Sequence, residues 1–182
     1  MGLFDNLAKK SPSAGGAQNA DRDVVFPDLP ETFEEFVALP QASLSNPSDT
    51  AALTILALCF YPQDKDTSLK ILDYLRGPRP LSVMDKQFIA DRFRDQDYIP
   101  RSYFVGSTPA NDYVPSKPYT VKVTEGKYAR TNEGYVTLDI RSGGADSPRQ
   151  ITVRQAKDGK WYLWEQQVLV GIRVPDSADP WA

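Results

Sequence analysis

The sequence contains no histidine and one cysteine, Cys59. Without histidine the chain lacks the most common general base and the most common metal ligand, which excludes a Ser-His-Asp or Cys-His nucleophile within it. One cysteine cannot form an intramolecular disulfide, so nothing indicates a disulfide-stabilised secreted scaffold. Because Cys59 lies in the apolar segment 51–60, we expect it to be a small buried hydrophobic residue. We predict no metal site and no cofactor.

An excess of positive charge and a long apolar run are also missing. The formal net charge of the 182 residues is -3, which leaves no basic footprint for nucleic acid. No run reaches the roughly 18 consecutive apolar residues of a membrane-spanning helix. The N-terminus does not have the order of a secretory signal, because its lysines follow its apolar residues. We therefore expect a cytoplasmic protein that has no transmembrane segment and binds no nucleic acid.

The N-terminal region predicts a short segment and a linker ahead of one folded domain. Leu3, Phe4 and Leu7 have helical spacing and precede two lysines, so a docking helix for a partner or membrane surface and a frayed start both stay open. Small and polar residues fill the stretch that follows, as in a flexible linker. We assign residues 1–23 to this region and residues 24–182 to a single α+β domain. With 41% apolar residues the chain can bury a core.

Residues 24–97 predict a helical half of about four helices. The first ends before Pro40. The second begins at Asn46 and is apolar nearly all round over residues 51–60, which is typical of a helix buried on several sides. The third ends at Gly77, and the fourth begins at a capping pattern on Ser82. The residues expected on inner helical faces are Phe33, Phe36, Val37, Leu69, Leu72, Leu75, Met84, Phe88, Ile89 and Phe93.

Two regions follow the helices. Residues 98–118 form a belt rich in proline and tyrosine, and a connection of this length is unusual unless it is packed or functional. Its aromatic residues either fasten the belt to the fold or line a groove. Residues 119–175 alternate apolar and polar side chains with period 2 and predict an antiparallel β-meander of four to five strands, including a last strand over 168–174. The expected fold class is α+β, with the helical half packed on the sheet.

The Asp158-Gly159 dipeptide is the strongest hairpin signal in the chain. A two-residue type I′ turn there places Arg154 opposite Leu163 and Val153 opposite Trp164. One face of the hairpin then carries the expected core residues Ile151, Val153, Tyr162 and Trp164. The other face carries Thr152, Arg154, Ala156, Trp161, Leu163 and Glu165.

This second face is too apolar for open water and too charged for a sealed core. We predict that it is covered by the belt or offered to a ligand, a protein partner or a second copy of the chain. A cation–π contact is expected between Arg154 and Trp161, and Leu163 belongs to the same surface.

The loop over residues 142–149 is a second candidate site. Its two adjacent glycines could direct successive N–H groups into an anion-binding nest, and arginines flank them. The alternative is a rigid loop in which the aspartate pairs with an arginine. The phosphate-loop signature and a following helix are both missing. The candidate residues are Arg141, Gly143, Gly144, Asp146 and Arg149.

Four phrases of the sequence are shared with a known family: YIPRSYFVGSTP at 98–109, PSKPYT at 115–120, SGGADSPR at 142–149 and DPW at 179–181. With these, residues 28–182 resemble a domain-of-unknown-function family of Gram-positive, largely anaerobic gut bacteria. The resemblance implies a bacterial cytoplasmic protein. It implies no activity, substrate or catalytic residue.

Two classes of function stay open. A non-catalytic interaction or ligand-binding domain would use the face around Arg154, Trp161 and Leu163 together with the neighbouring loop over residues 142–149. Helices before a curved sheet could also enclose a pocket, as in NTF2-like domains by analogy of fold. A carboxylate enzyme would use a pair such as Asp139 and Asp146 as acid and base. No spacing singles out a pair among the 24 acidic residues, so we favour the binding domain over the enzyme.

Overall fold

A computed structural model describes residues 20–182, and in this part of the chain four α-helices and five strands form an α+β fold. The helices are α1 (Phe33–Val37), α2 (Pro47–Phe60), α3 (Lys65–Arg76) and α4 (Val83–Phe93). The strands are β1 (Ala20–Phe26), β2 (Tyr119–Glu125), β3 (Tyr135–Ile140), β4 (Arg149–Gln155) and β5 (Trp161–Gln166). The predicted fold class, about four helices and a sheet of up to five strands, is confirmed.

The five strands form one antiparallel sheet in the order β1-β2-β3-β4-β5. Strands β2 to β5 form a meander. Strand β1 pairs with β2, although the whole helical half separates the two strands in the sequence. Inward-facing partners are apolar, for example Val24 opposite Val121 and Leu138 opposite Ile151. Outward-facing partners such as Thr137 and Thr152 are polar. One face of the sheet is therefore core, and the other is open.

Helix α2 covers the apolar face and contacts all five strands. The Asn46 side chain accepts a 2.8 Å hydrogen bond from the Ser48 N–H, and Pro47 occupies the first turn, as the sequence predicts. Residues on every side of the helix are buried, because the sheet lies on one side and α3 on another. This confirms the expectation of a helix enclosed on several sides.

The N-terminal boundary differs from the predicted one. Residues 20–23 are the first half of β1 and pair with β2, although their polar composition is that of a linker. Residues 21–23 are exposed, and Arg22, on the same face as Val24, pairs with Asp49 of α2 at 3.1 Å. The start of the strand therefore carries no apolar periodicity. The predicted docking residues Leu3, Phe4 and Leu7 lie outside the described residues.

The strand predicted over residues 168–174 is wrong. The structure has an irregular segment there, although Val168, Leu169 and Ile172 are buried. Its carbonyl groups are bound by side chains: Arg149 donates to Val170 O at 2.9 Å and to Gly171 O at 2.7 Å. The period-2 pattern does not match burial here, because the neighbours Val168 and Leu169 are both buried and Val174 is 47% exposed.

Tyrosine hydroxyls fasten the belt over residues 98–118 to that irregular segment. Tyr103 donates to Val168 O at 2.5 Å, and Tyr113 donates to Arg173 O at 2.6 Å. Tyr98 stacks on Tyr113 with ring centroids 5.6 Å apart. The alternative in which the aromatic residues fasten the belt to the fold is thus confirmed for these three.

Helix α4 lies on the surface with part of its predicted inner face exposed. Ile89 and Phe93 are buried, and Phe93 stacks on Tyr61 at 4.4 Å. Met84 is 82% exposed and Phe88 is 40% exposed, so their predicted inward orientation is wrong. None of the helices over residues 20–182 has both the length and the apolar content to cross a membrane.

Candidate functional site

The hairpin between β4 and β5 turns through three residues rather than two. The Gly159 N–H donates to Ala156 O and the Ala156 N–H donates to Lys160 O, both at 3.0 Å. Of residues 156–160, only Gly159 has positive φ, at 81°. This is a turn followed by a left-handed glycine, which forms a bulge. The Asp158 carboxylate supports it by accepting from the Lys160 N–H at 2.9 Å.

The extra loop residue moves the register by one position. Arg154 lies opposite Tyr162, and Val153 lies opposite Leu163. Our predicted register, with Arg154 opposite Leu163, is therefore wrong. Because side chains alternate between the two faces of a strand, this shift exchanges the faces of residues 161–164. A register irregularity between Thr152 and Val153 restores the predicted pairing beyond them, so Glu165 lies opposite Thr152.

The exchange moves two of the three predicted surface residues to the core side. Leu163 is 3% exposed and packs with Val153. Trp161 is half-buried against the core. Its backbone N–H donates to Leu44 O at 2.8 Å, and its backbone carbonyl accepts from Thr50 Oγ1 at 2.7 Å. Of the three, only Arg154 stays on the open face. Tyr162 and Trp164, predicted for the core, take the vacated positions beside it.

Two arginines lie against one indole on this open face. The guanidinium carbon of Arg79 is 3.8 Å from the Trp164 ring centroid, and that of Arg154 is 4.8 Å away. Arg154 is also 5.1 Å from the ring of Tyr135, which meets Trp164 edge to face. The predicted cation–π contact of Arg154 therefore exists, but with Trp164 instead of Trp161.

The turn between α3 and α4 holds Arg79 in place. Arg76 is buried, pairs with Asp85 at 3.5 Å and donates from Nε to the Arg79 carbonyl at 2.9 Å. Gly77, at φ 55° and ψ -113°, lies on the ring of Tyr162, where a Cβ would come within 2.4 Å of the ring carbons. Only glycine fits here. Arg79 in turn donates to the Trp164 carbonyl at 2.7 Å.

These elements surround a cavity of about 660 Å³. Its walls come from the α3–α4 turn, the end of β4, the hairpin turn and β5. The lining residues are Arg76, Pro78, Arg79, Arg154, Gln155, Ala156, Lys157, Asp158, Tyr162, Leu163 and Trp164. We call this cavity the arginine cavity.

The charge in the arginine cavity is predominantly positive. Within residues 20–182 the Arg154 guanidinium has no hydrogen-bonded or ion-paired partner, while Arg76 is neutralised by Asp85. Tyr162 donates to the one carboxylate in the lining, Asp158, at 2.7 Å. That bond raises the pKa of Tyr162 to about 12 and lowers the pKa of Asp158. Both groups therefore keep fixed charge states at neutral pH.

The loop over residues 142–149 has its amide groups turned into the protein. The Gly143 N–H donates to Ser102 O at 2.9 Å, and the Gly144 N–H donates to Ser142 Oγ at 3.1 Å. A nest for an external anion needs these two donors, and both are already used. The arrangement favours the rigid-loop alternative, in which Asp146 pairs with Arg173.

The remaining candidates do not converge with Arg154. Arg149 uses its guanidinium on carbonyl groups of the irregular segment, and Arg141 is exposed at the end of β3. The loop and the hairpin turn lie at opposite ends of β4, so Arg149 and Arg154 are about 16 Å apart along the strand. Asp139 accepts from Gln150 and Asp146 pairs with Arg173, each with its own partner. Residues 20–182 contain no cluster of three or more potential metal ligands.

Sequence reasoning missed Arg79 and misplaced Trp164. Arg79 stands between Pro78 and Pro80, and a charged residue held between two prolines in a turn is a signal that could have identified it. Trp164 could have been placed correctly by considering a three-residue turn ending in Gly159. Neither signal shows that the two residues meet.

A scan against protein families matches residues 28–176 to a domain of unknown function, DUF6935. The chain belongs to the DUF6935 family. The match contains Arg79, Arg154 and Trp164, so the arginine cavity lies within the family domain. The expected resemblance to a domain-of-unknown-function family is confirmed at this level. A search of curated proteins and a search of solved structures find no match.

Proposed function

We propose that this DUF6935 protein is a non-catalytic domain that binds a ligand through an anionic group in the arginine cavity. The observation that carries the proposal is the Arg154 guanidinium, which lies over two aromatic rings with no anionic partner among residues 20–182. Together with Lys157 and Arg79, it gives the cavity a local positive charge in a chain whose net charge is -3.

Its aromatic contacts make Arg154 a good receptor for an anion. A guanidinium held against an aromatic face still has N–H donors in its own plane that can bind a ligand. Two of these donors fit a carboxylate or phosphate in a two-point contact. Because the rings already hold the side chain, less conformational entropy is lost when a ligand binds. Arg79 is fixed on the same indole by its bond to the Trp164 carbonyl.

The setting of the function is proposed from the resemblance and the composition. We propose a cytoplasmic protein of a Gram-positive bacterium, in which the ligand would be an intracellular anion. The alternative is that the open sheet face binds a protein partner or a second copy of the chain. In that case we expect a change in sedimentation that depends on Arg154 and needs no added anion.

The test compares Arg154→Gln with Arg141→Gln in the full chain. Arg141 is a matched control because it is also an exposed arginine, directly after β3, but lies outside the cavity. Pyrophosphate is titrated at constant ionic strength, and the indole N–H signal of Trp164 is followed by NMR. We expect the signal to move in the wild type and in Arg141→Gln, with affinity about tenfold or more weaker in Arg154→Gln. Equal affinities in the two variants, or no movement in the wild type, would contradict the proposal.

A further inference from the structure

The arginine cavity adjoins a second cavity of different chemistry. That cavity, of about 540 Å³, lies over the outward faces of β3, β4 and β5 and is closed by the β2–β3 connection. Trp164 lines both cavities. The polar residues that line this second cavity include Asn132, Thr137, Thr152 and Glu165. We call it the hydroxyl cavity.

The hydroxyl cavity has no cationic residue in its lining. Thr137 and Thr152 share a hydroxyl contact of 3.0 Å, and each hydroxyl can make a further bond. The side chains of Asn132 and Glu165 also line the cavity, are exposed and have no hydrogen-bond partner within residues 20–182, so an amide and a carboxylate are available to a ligand. This set offers donors and acceptors to neutral hydroxyl groups and repels a second anion.

The two cavities are about one sugar ring apart. Thr152 and Arg154 are outward-facing neighbours on β4, so they are separated by about 7 Å. Tyr135 lies between the two sets of groups: it lines the hydroxyl cavity and touches both Arg154 and Trp164. Its ring adds an apolar surface that a sugar ring can cover.

An added peptide strand fits this site less well. Strand addition needs a free sheet edge, and β5 has its edge occupied at Trp161 by Leu44 and Thr50 and at Trp164 by Arg79. A ligand lying over the face meets side chains only, and these are mainly hydroxyl, amide and carboxylate groups.

We infer that the ligand is a phosphorylated sugar, with its phosphate at Arg154 and Arg79 and its hydroxyl groups at Thr152, Glu165 and Asn132. The inference rests on the proposed function, because it takes the arginine cavity as the anion site. It adds that specificity is set by the hydroxyl cavity.

The anion site and the sugar specificity are tested separately with methyl phosphate and ribose 5-phosphate. Their dissociation constants are measured by calorimetry on the full-length wild type, on Glu165→Gln and on the double variant Thr152→Val/Glu165→Gln. Thr120→Val is the matched control. Thr120 is also a threonine on the outward face of the sheet, but it lies in β2, outside both cavities. We expect ribose 5-phosphate to bind the wild type and Thr120→Val about tenfold more tightly than methyl phosphate, as one or two hydrogen bonds would give. The double variant should lose that advantage and keep its affinity for methyl phosphate.

The outcomes distinguish the two failures. If methyl phosphate binds the wild type but ribose 5-phosphate binds no more tightly, the sugar inference is wrong and the anion site stands. The sugar inference is also wrong if the double variant keeps the tenfold advantage. If neither compound binds, both the sugar inference and the proposed anion site are wrong.

Discussion

At the scale of single residues, two glycines show how differently the same substitution acts in this fold. A Cβ at Gly143 would lie 1.8 Å from the backbone oxygen of Ser107, so the loop or the belt would have to move. A Cβ at Gly159 would meet no atom within 4 Å, but the residue has a φ of 81°. The first glycine is required by packing, and the second by backbone conformation.

We therefore predict that Gly143→Ala lowers the free energy of unfolding by about 3 kcal/mol. Gly159→Ala should lower it by about 1–2 kcal/mol, the usual strain of an L-residue in the left-handed region. Urea unfolding followed by circular dichroism measures both. A smaller loss for Gly143→Ala than for Gly159→Ala would show that the loop over residues 142–149 is not held against the belt.

At the scale of elements, the sequence predicts the start of helix α4 correctly, but not its buried face. Its start is as predicted: the Asp85 N–H donates to Ser82 Oγ at 3.1 Å, and the Asp85 carboxylate accepts from the Ser82 N–H at 2.8 Å. Its apolar residues, however, are spread over a wide arc. A capping pattern depends on residues within one turn, whereas the buried arc depends on where the helix lies on the core.

We predict that Ile89→Ala and Met84→Ala differ sharply in stability. Ile89 is 3% exposed, so its truncation should lower the free energy of unfolding by about 2–4 kcal/mol. Met84 is 82% exposed, so its truncation should change that energy by less than about 0.5 kcal/mol. Urea unfolding midpoints with unchanged m-values decide this. A large loss in Met84→Ala would mean that this face of α4 is covered in solution.

The hairpin shows the same division in the candidate site. The sequence predicts the turn position correctly from Asp158-Gly159, and the structure confirms a turn there. It cannot tell a two-residue loop from a three-residue one, since both are compatible with glycine at this place. That single residue decides whether Trp164 or Leu163 lies beside Arg154. The sequence gives no reason to include Arg79, because Arg79 is 75 positions before Arg154 in the chain and the two residues contact the same indole only through tertiary packing.

At the scale of the whole molecule, the belt joins the helical half to the end of the chain. The Tyr103 side chain is 1% exposed and donates to the carbonyl of Val168, which lies 65 positions away. Burial raises the pKa of the Tyr103 hydroxyl well above its ordinary value, so the group stays a neutral donor. The irregular segment 168–174 depends on such side-chain donors, because it has no strand partner.

We predict that Tyr103→Phe lowers the free energy of unfolding by about 1–3 kcal/mol, since it leaves the Val168 carbonyl without its donor in a buried place. Tyr128→Phe is the control, because Tyr128 is 76% exposed and its change should stay within about 0.5 kcal/mol. Both are measured by urea unfolding. Equal effects would contradict the role assigned to the belt.

The sequence by itself determined the features that depend on neighbouring residues: the caps of α2 and α4, the end of α3 at Gly77, the turn at Gly159 and the α+β class. The tertiary structure alone decided which strand β1 joins, which face of β5 is open, and that Arg79, Trp164 and Arg154 form one site. The physical reason is range. Capping and turn preferences act over a few residues, whereas register and burial depend on surfaces from distant parts of the chain. A shift of one residue in the hairpin turn exchanges the faces of residues 161–164.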